Sequence, residues 1–337
     1  MRRSLVDTIA RPFQARSPVD GHHRGVATDE PLFDEAVLGR LRRLALVSGR
    51  ARTEGIAGEH RSRRRGTSPE FADFKSYSQG DDYRRIDWNT FGRLDELFVR
   101  VSEVTTELSL HILLDASASM DWSGEAGAPS KFTYARRLAG ALGYIGLWHG
   151  DRLTIAPFAD ELAAPFGPVQ GRAQIMPMLR HLEATPPLGG TALAGSIERY
   201  VTARRRPGLM IIVSDLLAGD PDELRAILRS LRTRRWEVTI VHVLGEAEVT
   251  PAVTRRYLAG VDANRAPVEL VETESAARLR LTPTDEVLDR YEAAINGWLE
   301  QIEEICQAER TKYARLLTCW DMESVVLGVL HRRGVVA

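Results

Sequence analysis

The sequence predicts an α/β protein: a doubly wound, mostly parallel sheet with flanking helices, plus an N-terminal segment and a C-terminal helical and β extension. Two observations predict it. Leu108–Leu114, Leu209–Val213 and Val238–Leu244 are continuous apolar runs, as expected of strands covered on both faces. Stretches of helical character separate them, and strands alternating with helices pair in parallel through right-handed crossovers.

Taken in order, residues 1–30 are polar, Arg-rich and broken by Pro and Gly, and are expected to be a disordered tail. Residues 31–107 form an N-terminal segment. Within it, Phe33, Val37, Leu38, Leu41, Leu44 and Leu46 recur every three or four residues and predict a helix over Asp34–Val47. Glu70–Val101 mixes aromatics with charges and predicts short strands and turns, with a strand at Leu97–Val101 and Trp88 in the core.

The central domain spans 108–245. After the strand Leu108–Leu114 come a helix at Thr133–Trp148, a strand at Arg152–Phe158, and helices at Ala173–Leu182 and Ala192–Thr202. Then follow Leu209–Val213, a helix at Pro221–Arg234 and Val238–Leu244. Pro221 stands in a first turn, where its missing N–H costs nothing.

Residues 246–337 read as a hairpin of Val268–Glu272 and Ala277–Leu281, a long helix, and an edge strand at Val325–Val329. Leu288, Tyr291, Ile295, Trp298, Ile302 and Ile305 make one stripe on that helix, short for a coiled coil and suited to packing on the same chain.

Composition excludes several classes. A formal net charge of −1 gives no global field for nucleic acid or an anionic membrane. Residues 1–70 hold 14 Arg against 9 Asp and Glu, but only Lys75, Lys131 and Lys312 are lysines, so an Arg run here reflects compositional bias before it reflects function. Cys306 and Cys319 have neither disulfide-framework nor zinc spacing, which fits a cytoplasmic location. No run of about 18 apolar residues is present, so no membrane span is expected. The N-terminus lacks the apolar stretch of a secretory signal.

The chemistry-bearing constellation begins where the first apolar strand ends, at Asp115-Ala-Ser117-Ala-Ser119. In a doubly wound sheet ligands bind just past the carboxyl ends of strands. There, one carboxylate and two hydroxyls offer hard oxygen ligands suited to Mg²⁺. Thr191 follows Gly189 and Gly190, and Asp215 follows the strand Leu209–Val213, so three loops can share one rim. The same small polar residues can instead cap the next helix, an alternative the sequence leaves open.

These five residues resemble the metal-ion-dependent adhesion site of von Willebrand factor A domains, over roughly 140 residues. The resemblance implies a von Willebrand factor A-like fold. It also implies that Ser117, Ser119 and Thr191 bind Mg²⁺ (or Mn²⁺ or Ca²⁺) directly, that Asp115 and Asp215 act through water, and that the open position takes a partner's Glu or Asp.

A second stretch, Phe71-Ala-Asp-Phe-Lys-Ser-Tyr-Ser-Gln-Gly-Asp-Asp-Tyr-Arg-Arg-Ile-Asp-Trp88, is preceded by His60-Arg-Ser and followed by Leu97-Phe-Val-Arg100. It resembles the signature of an uncharacterised bacterial family in which this segment leads into a von Willebrand factor A-like domain. That resemblance implies an adaptor or cochaperone working with a MoxR-type AAA+ ATPase; a metal site without an attached catalytic set predicts that the chain is not an enzyme. The cluster Gly80, Asp81, Asp82, Arg84, Arg85 and Asp87 reads as a turn locked by Asp–Arg pairs, as a partner surface, or as a second metal or catalytic site.

Other functions are less well carried. Phosphatases with a similar sheet use two Asp two residues apart, and here the second position is Ser117. Neither G-x-x-x-x-G-K-[ST] nor G-x-S-x-G occurs, and His111 and His149 read as structural. A nucleic-acid binder would rest on Arg61–Arg65 and the tail, against a near-neutral total.

Overall fold

The computed structural model describes residues 13–15, 33–48, 61–62, 71–78, 86–94, 96–102, 104–105, 108–124, 128–204, 206–217, 220–250, 268–272, 278–282 and 284–337. The chain divides into two compact units, 1–46 with 108–337, and 47–107.

The larger unit is built on a six-stranded sheet: β1 (Ser109–Asp115), β2 (Arg152–Phe158), β3 (Phe166–Gln170), β4 (Leu209–Ser214), β5 (Glu237–Leu244) and β6 (Lys312–Leu317). Its spatial order is β6-β5-β4-β1-β2-β3, parallel throughout except for the antiparallel edge strand β3. This is the doubly wound α/β arrangement expected from the sequence. The order reverses between β1 and β4, where Leu110 lies opposite Leu209 and Leu114 opposite Val213.

Among the described residues, the sheet is covered by α1 (Lys131–Trp148), α2 (Ile175–Ala184), α3 (Leu193–Thr202), α4 (Pro221–Thr233) and α5 (Asp285–Ala308). Side chains alternate between faces along each strand. Leu110, Ile112 and Leu114 pack with α1 and α2, while Leu113, Ala156 and Phe158 pack with α3, α4 and α5. Helix α1 is buried around most of its circumference, so its sequence shows little amphipathic contrast. It lies tight on its neighbours: a Cβ at Gly143 would come within 2.5 Å of the Met178 sulfur, and one at Gly146 within 2.9 Å of a Leu110 methyl.

Local chemistry sets the helix starts. Asp220 accepts from the Asp222 N–H at 2.8 Å ahead of Pro221 in α4, and Thr284 accepts from the Val287 N–H at 3.3 Å in α5. The stripe of α5 is spent within this chain, with Leu288, Ile295, Ile302 and Ile305 buried. Among the described residues no helix is long and apolar enough to cross a membrane.

Several sequence expectations change. The sheet does not end at residue 245, because its sixth strand is Lys312–Leu317. Val325–Val329 is not an edge strand: Val325–Leu330 forms a π-helical turn that buries Val325, Val326 and Leu330. An apolar run that short fits either state. The N-terminal helix is shorter than expected, Glu35–Leu41, with Leu46 bridged instead to Val336. Phe13–Ala15, inside the expected disordered tail, pairs with Val268–Glu272, which pairs in turn with Arg278–Leu281.

In the smaller unit, Phe71–Ser76 pairs antiparallel with Phe98–Ser102, and Arg61–Ser62 with Val104–Thr105. Trp88–Leu94 is a short helix, and Trp88 is 64% exposed, contrary to its expected place in the core.

Candidate metal centre

The reversal of strand order between β1 and β4 leaves a crevice at their carboxyl ends, because the connections leave in opposite directions. Asp115 is the last residue of β1, Ser214 the last of β4, and Asp215 follows directly; all three are fully buried.

Past Asp115 the backbone turns back within a few residues. The Ser117 N–H donates to Asp115 Oδ1 at 3.0 Å, and the Ser214 hydroxyl donates to Asp115 Oδ2 at 2.5 Å. Ser117 stays extended ahead of the 3₁₀ turn Ala118–Asp121, which brings its hydroxyl to 3.0 Å from that of Ser119. The loop before Thr191 is fastened to this turn. Leu188 N–H donates to the Ala116 carbonyl at 2.7 Å, and Ala118 N–H to the Gly189 carbonyl at 2.9 Å. Gly189 has φ +86°, a backbone conformation that strains any residue with a Cβ and so favours glycine. Thr191 follows two residues later and is half-buried.

The second half of the crevice holds a feature the five-residue motif does not announce. Lys131, the first residue of α1, points inward and is fully buried. Its ammonium donates to Asp215 Oδ2 at 2.7 Å and to Glu248 Oε1 at 2.8 Å. Asp215 Oδ1 accepts from the Leu217 N–H at 3.2 Å, so both oxygens of that carboxylate are engaged within the chain. Glu248 Oε2 accepts from the Gly245 N–H at 2.6 Å, and the Glu248 carbonyl accepts from the Tyr291 hydroxyl at 2.9 Å.

Beneath Asp215, His242 Nε2 lies 2.7 Å from the Asp215 carbonyl and Nδ1 lies 2.8 Å from the Tyr313 hydroxyl. A carbonyl only accepts, so the proton sits on Nε2, and Nδ1 accepts from Tyr313. Burial holds His242 down at about 4, so the ring is neutral at neutral pH.

The electrostatics follow from this inventory. Asp115, Asp215 and Glu248 are buried carboxylates, and the Lys131 ammonium bonds the last two. Burial first, and Asp215 alongside second, push Asp115 up to about 7; the hydrogen bonds from Ser214 and Ser117 pull the other way. Burial pulls the Lys131 ammonium down, but attraction to Asp215 and Glu248 outweighs it and leaves the group above its ordinary range. Glu248 is raised by burial in spite of Lys131.

Among the described residues no three His, Cys, Asp or Glu side chains converge as metal ligands. A cation here would depend on the hydroxyls of Ser117, Ser119 and Thr191. The fit rests on charge and donor chemistry: a hard oxygen set lies beside a carboxylate whose negative form is under-compensated. Lys131, Ser214 and Glu248 are the residues that reading the sequence missed. Lys131 left one trace, as one of three lysines in a chain that otherwise uses arginine.

Of the second cluster, Gly80, Asp81, Asp82, Arg84 and Arg85 lie outside the described residues. Asp87 is only 6% exposed and is not a surface group. Its Oδ1 accepts from the Asn89 N–H at 3.1 Å and its carbonyl from the Phe91 N–H at 3.1 Å, which starts the helix Trp88–Leu94.

Comparison with known proteins agrees with the sequence signature. Uncharacterized protein Mb1516 of Mycobacterium bovis is 29% identical over 221 residues, covering 64% of this chain and 68% of that one. Uncharacterized proteins MT1527 and Rv1480 of Mycobacterium tuberculosis match to the same extent. Among solved structures, the conserved hypothetical protein BatB from Bacteroides thetaiotaomicron aligns over 67% of this chain and 98% of its own. Its TM-score is 0.39 and its identity 13%, too loose to bear on the fold, which rests on the sheet itself. The model of the family described as "Protein of unknown function DUF58" matches residues 73–288, and the chain belongs to that family.

Proposed function

We propose that this chain is a metal-dependent protein-interaction module that grips a partner's carboxylate at the β1/β4 crevice. The observation that carries the reading is the pair of hydroxyls, Ser117 and Ser119, 3.0 Å apart beside a buried, under-compensated Asp115. On this reading Ser117, Ser119 and Thr191 hold Mg²⁺, or Mn²⁺ or Ca²⁺, while Asp115 and Asp215 orient its water. A divalent cation there supplies an electrophilic position for a Glu or Asp oxygen, a charge-assisted contact with defined geometry. Lys131 and Ser214 keep the two aspartates in place. The chain is read as a cytoplasmic adaptor or cochaperone and not an enzyme, with a MoxR-type AAA+ ATPase as its partner; that partner follows from the family resemblance alone.

Calorimetric titration with Mg²⁺ and Mn²⁺ tests the site. Wild type should bind one ion, and a Ser117→Ala/Ser119→Ala variant none. Silence from both proteins removes the metal from the proposal. A pull-down of a MoxR-type AAA+ ATPase with and without Mg²⁺ tests the partner, and failure in both conditions counts against it.

A further inference from the structure

At the amino end of the same sheet lies a cleft of about 380 Å³. Ser109 and Arg152 are the first residues of β1 and β2, so the cleft sits at the other end of β1 from Asp115, about 20 Å away at strand rise. Arg152, Arg204 and Arg206 converge on it, together with Ser109, Thr154 and His111. Among the described residues none of the three arginines has a carboxylate partner, and no acidic side chain lines the cleft.

Arginine is always charged, and three guanidinium groups around one concavity repel each other unless an anion or bulk counterions answer them. The arrangement is also held from behind. Arg204 lies over the Tyr200 ring, 5.1 Å from its centroid. The Tyr200 hydroxyl sits 2.7 Å from His111 Nδ1, and Tyr200 and His111 are both buried. A buried Tyr–His pair thus anchors one of the three cations. His111 Nε2 is buried and has no hydrogen-bond partner among the described residues.

The geometry points to a binding site for a small phosphate-bearing ligand at this cleft, with Arg152, Arg204 and Arg206 as the phosphate clamp. The planar fork of arginine matches phosphate oxygens in pairs. The volume suits a small ligand. A nucleic-acid backbone would call for cations strung along a stripe, whereas these three meet at one cavity. The general excess of arginine in this chain explains their type but not their convergence without carboxylates.

Calorimetric titration of the full chain with inorganic phosphate, pyrophosphate and ATP, at two salt concentrations, tests the assignment. Wild type should bind at least one of them saturably with one site per chain. Arg206→Gln, an exposed change, and Arg152→Gln should each weaken binding about tenfold or more. Arg290→Gln, an exposed change on α5 away from the cleft, should leave it unchanged, which separates this site from the general excess of arginine. The proposal is overturned if wild type binds none of the three, or if the arginine variants bind as well as wild type. It is equally overturned if binding is multi-site and vanishes with salt, or if single-stranded DNA binds more tightly than every small phosphate.

Discussion

At the carboxyl end of β1, Asp115 and Asp215 are buried, and the Lys131 ammonium is bonded to Asp215 and Glu248. At its amino end, Arg152, Arg204 and Arg206 ring an open cleft with no carboxylate among its described lining. The first group is sealed from water, so its charges must be balanced by the protein itself or by a bound ion. The second faces solvent, where water and counterions screen each charge and leave the cations available. The same element therefore carries one end where altering a charge endangers the fold and another where it touches only binding.

The largest expected effect is at Lys131. Lys131→Met keeps the side-chain length and leaves Asp215 and Glu248 buried without their ammonium. Such a loss costs about 3–5 kcal/mol, read from urea unfolding at pH 7.5. A loss under about 1 kcal/mol would mean that the internal ion pair does not balance this end.

The next concerns acid. Burial, with Arg204 second, holds His111 at about 4 in the folded chain, against 6.5 when unfolded. The unfolded state then binds more protons below 6.5, so the contribution is complete above that pH and is lost as pH falls towards 4. The full loss is roughly 3 kcal/mol at 1.36 kcal/mol per unit. His111→Phe should flatten part of the slope of stability against pH over that window. His242, also held at about 4, supplies another part. An unchanged slope would show that His111 does not resist protonation.

Mg²⁺ sharpens the contrast at the acidic end. If the crevice binds it as proposed, Mg²⁺ at a hundred times its dissociation constant adds about 2.7 kcal/mol to stability. The gain should disappear with chelator and be absent in Ser117→Ala. An equal gain in that variant would place the ion elsewhere. The smallest effect belongs to the other end: Arg206→Gln should change stability by no more than about 0.5 kcal/mol, measured by thermal unfolding. A larger loss would make the arginine a structural group.

The parts of this fold readable from sequence are those whose cause is local. Leu209–Val213 and Val238–Leu244 are apolar at every position because both sheet faces are covered, and each forms the expected strand to within a residue. Lys312–Leu317 was hidden because it is the outermost strand: Lys312 and Arg315 interrupt its apolar pattern, and Arg315 is exposed. Trp88 carried a residue type suited to burial, but type alone does not say which way a short helix faces. At the crevice, Asp115, Ser117 and Ser119 were legible because they end an apolar strand. The Lys131 contacts join residues 84 and 117 positions apart, a pairing no local pattern encodes. Choosing lysine there has a physical reason, since a compact ammonium with three donors can sit between two carboxylates where a flat guanidinium fork would not.

The position of β6 has a consequence for how the chain comes off the ribosome. Strand β5 is complete by Leu244, but its outer edge is hydrogen-bonded only when Lys312–Leu317 arrives, with α5 and the Val268–Leu281 hairpin intervening. Until then a nearly uncharged run, Val238–Leu244, presents open backbone donors and acceptors to any neighbouring strand. During synthesis this edge waits for more than sixty residues, several seconds at ordinary elongation rates. A nascent chain halted in that interval offers its neighbours a template for intermolecular pairing.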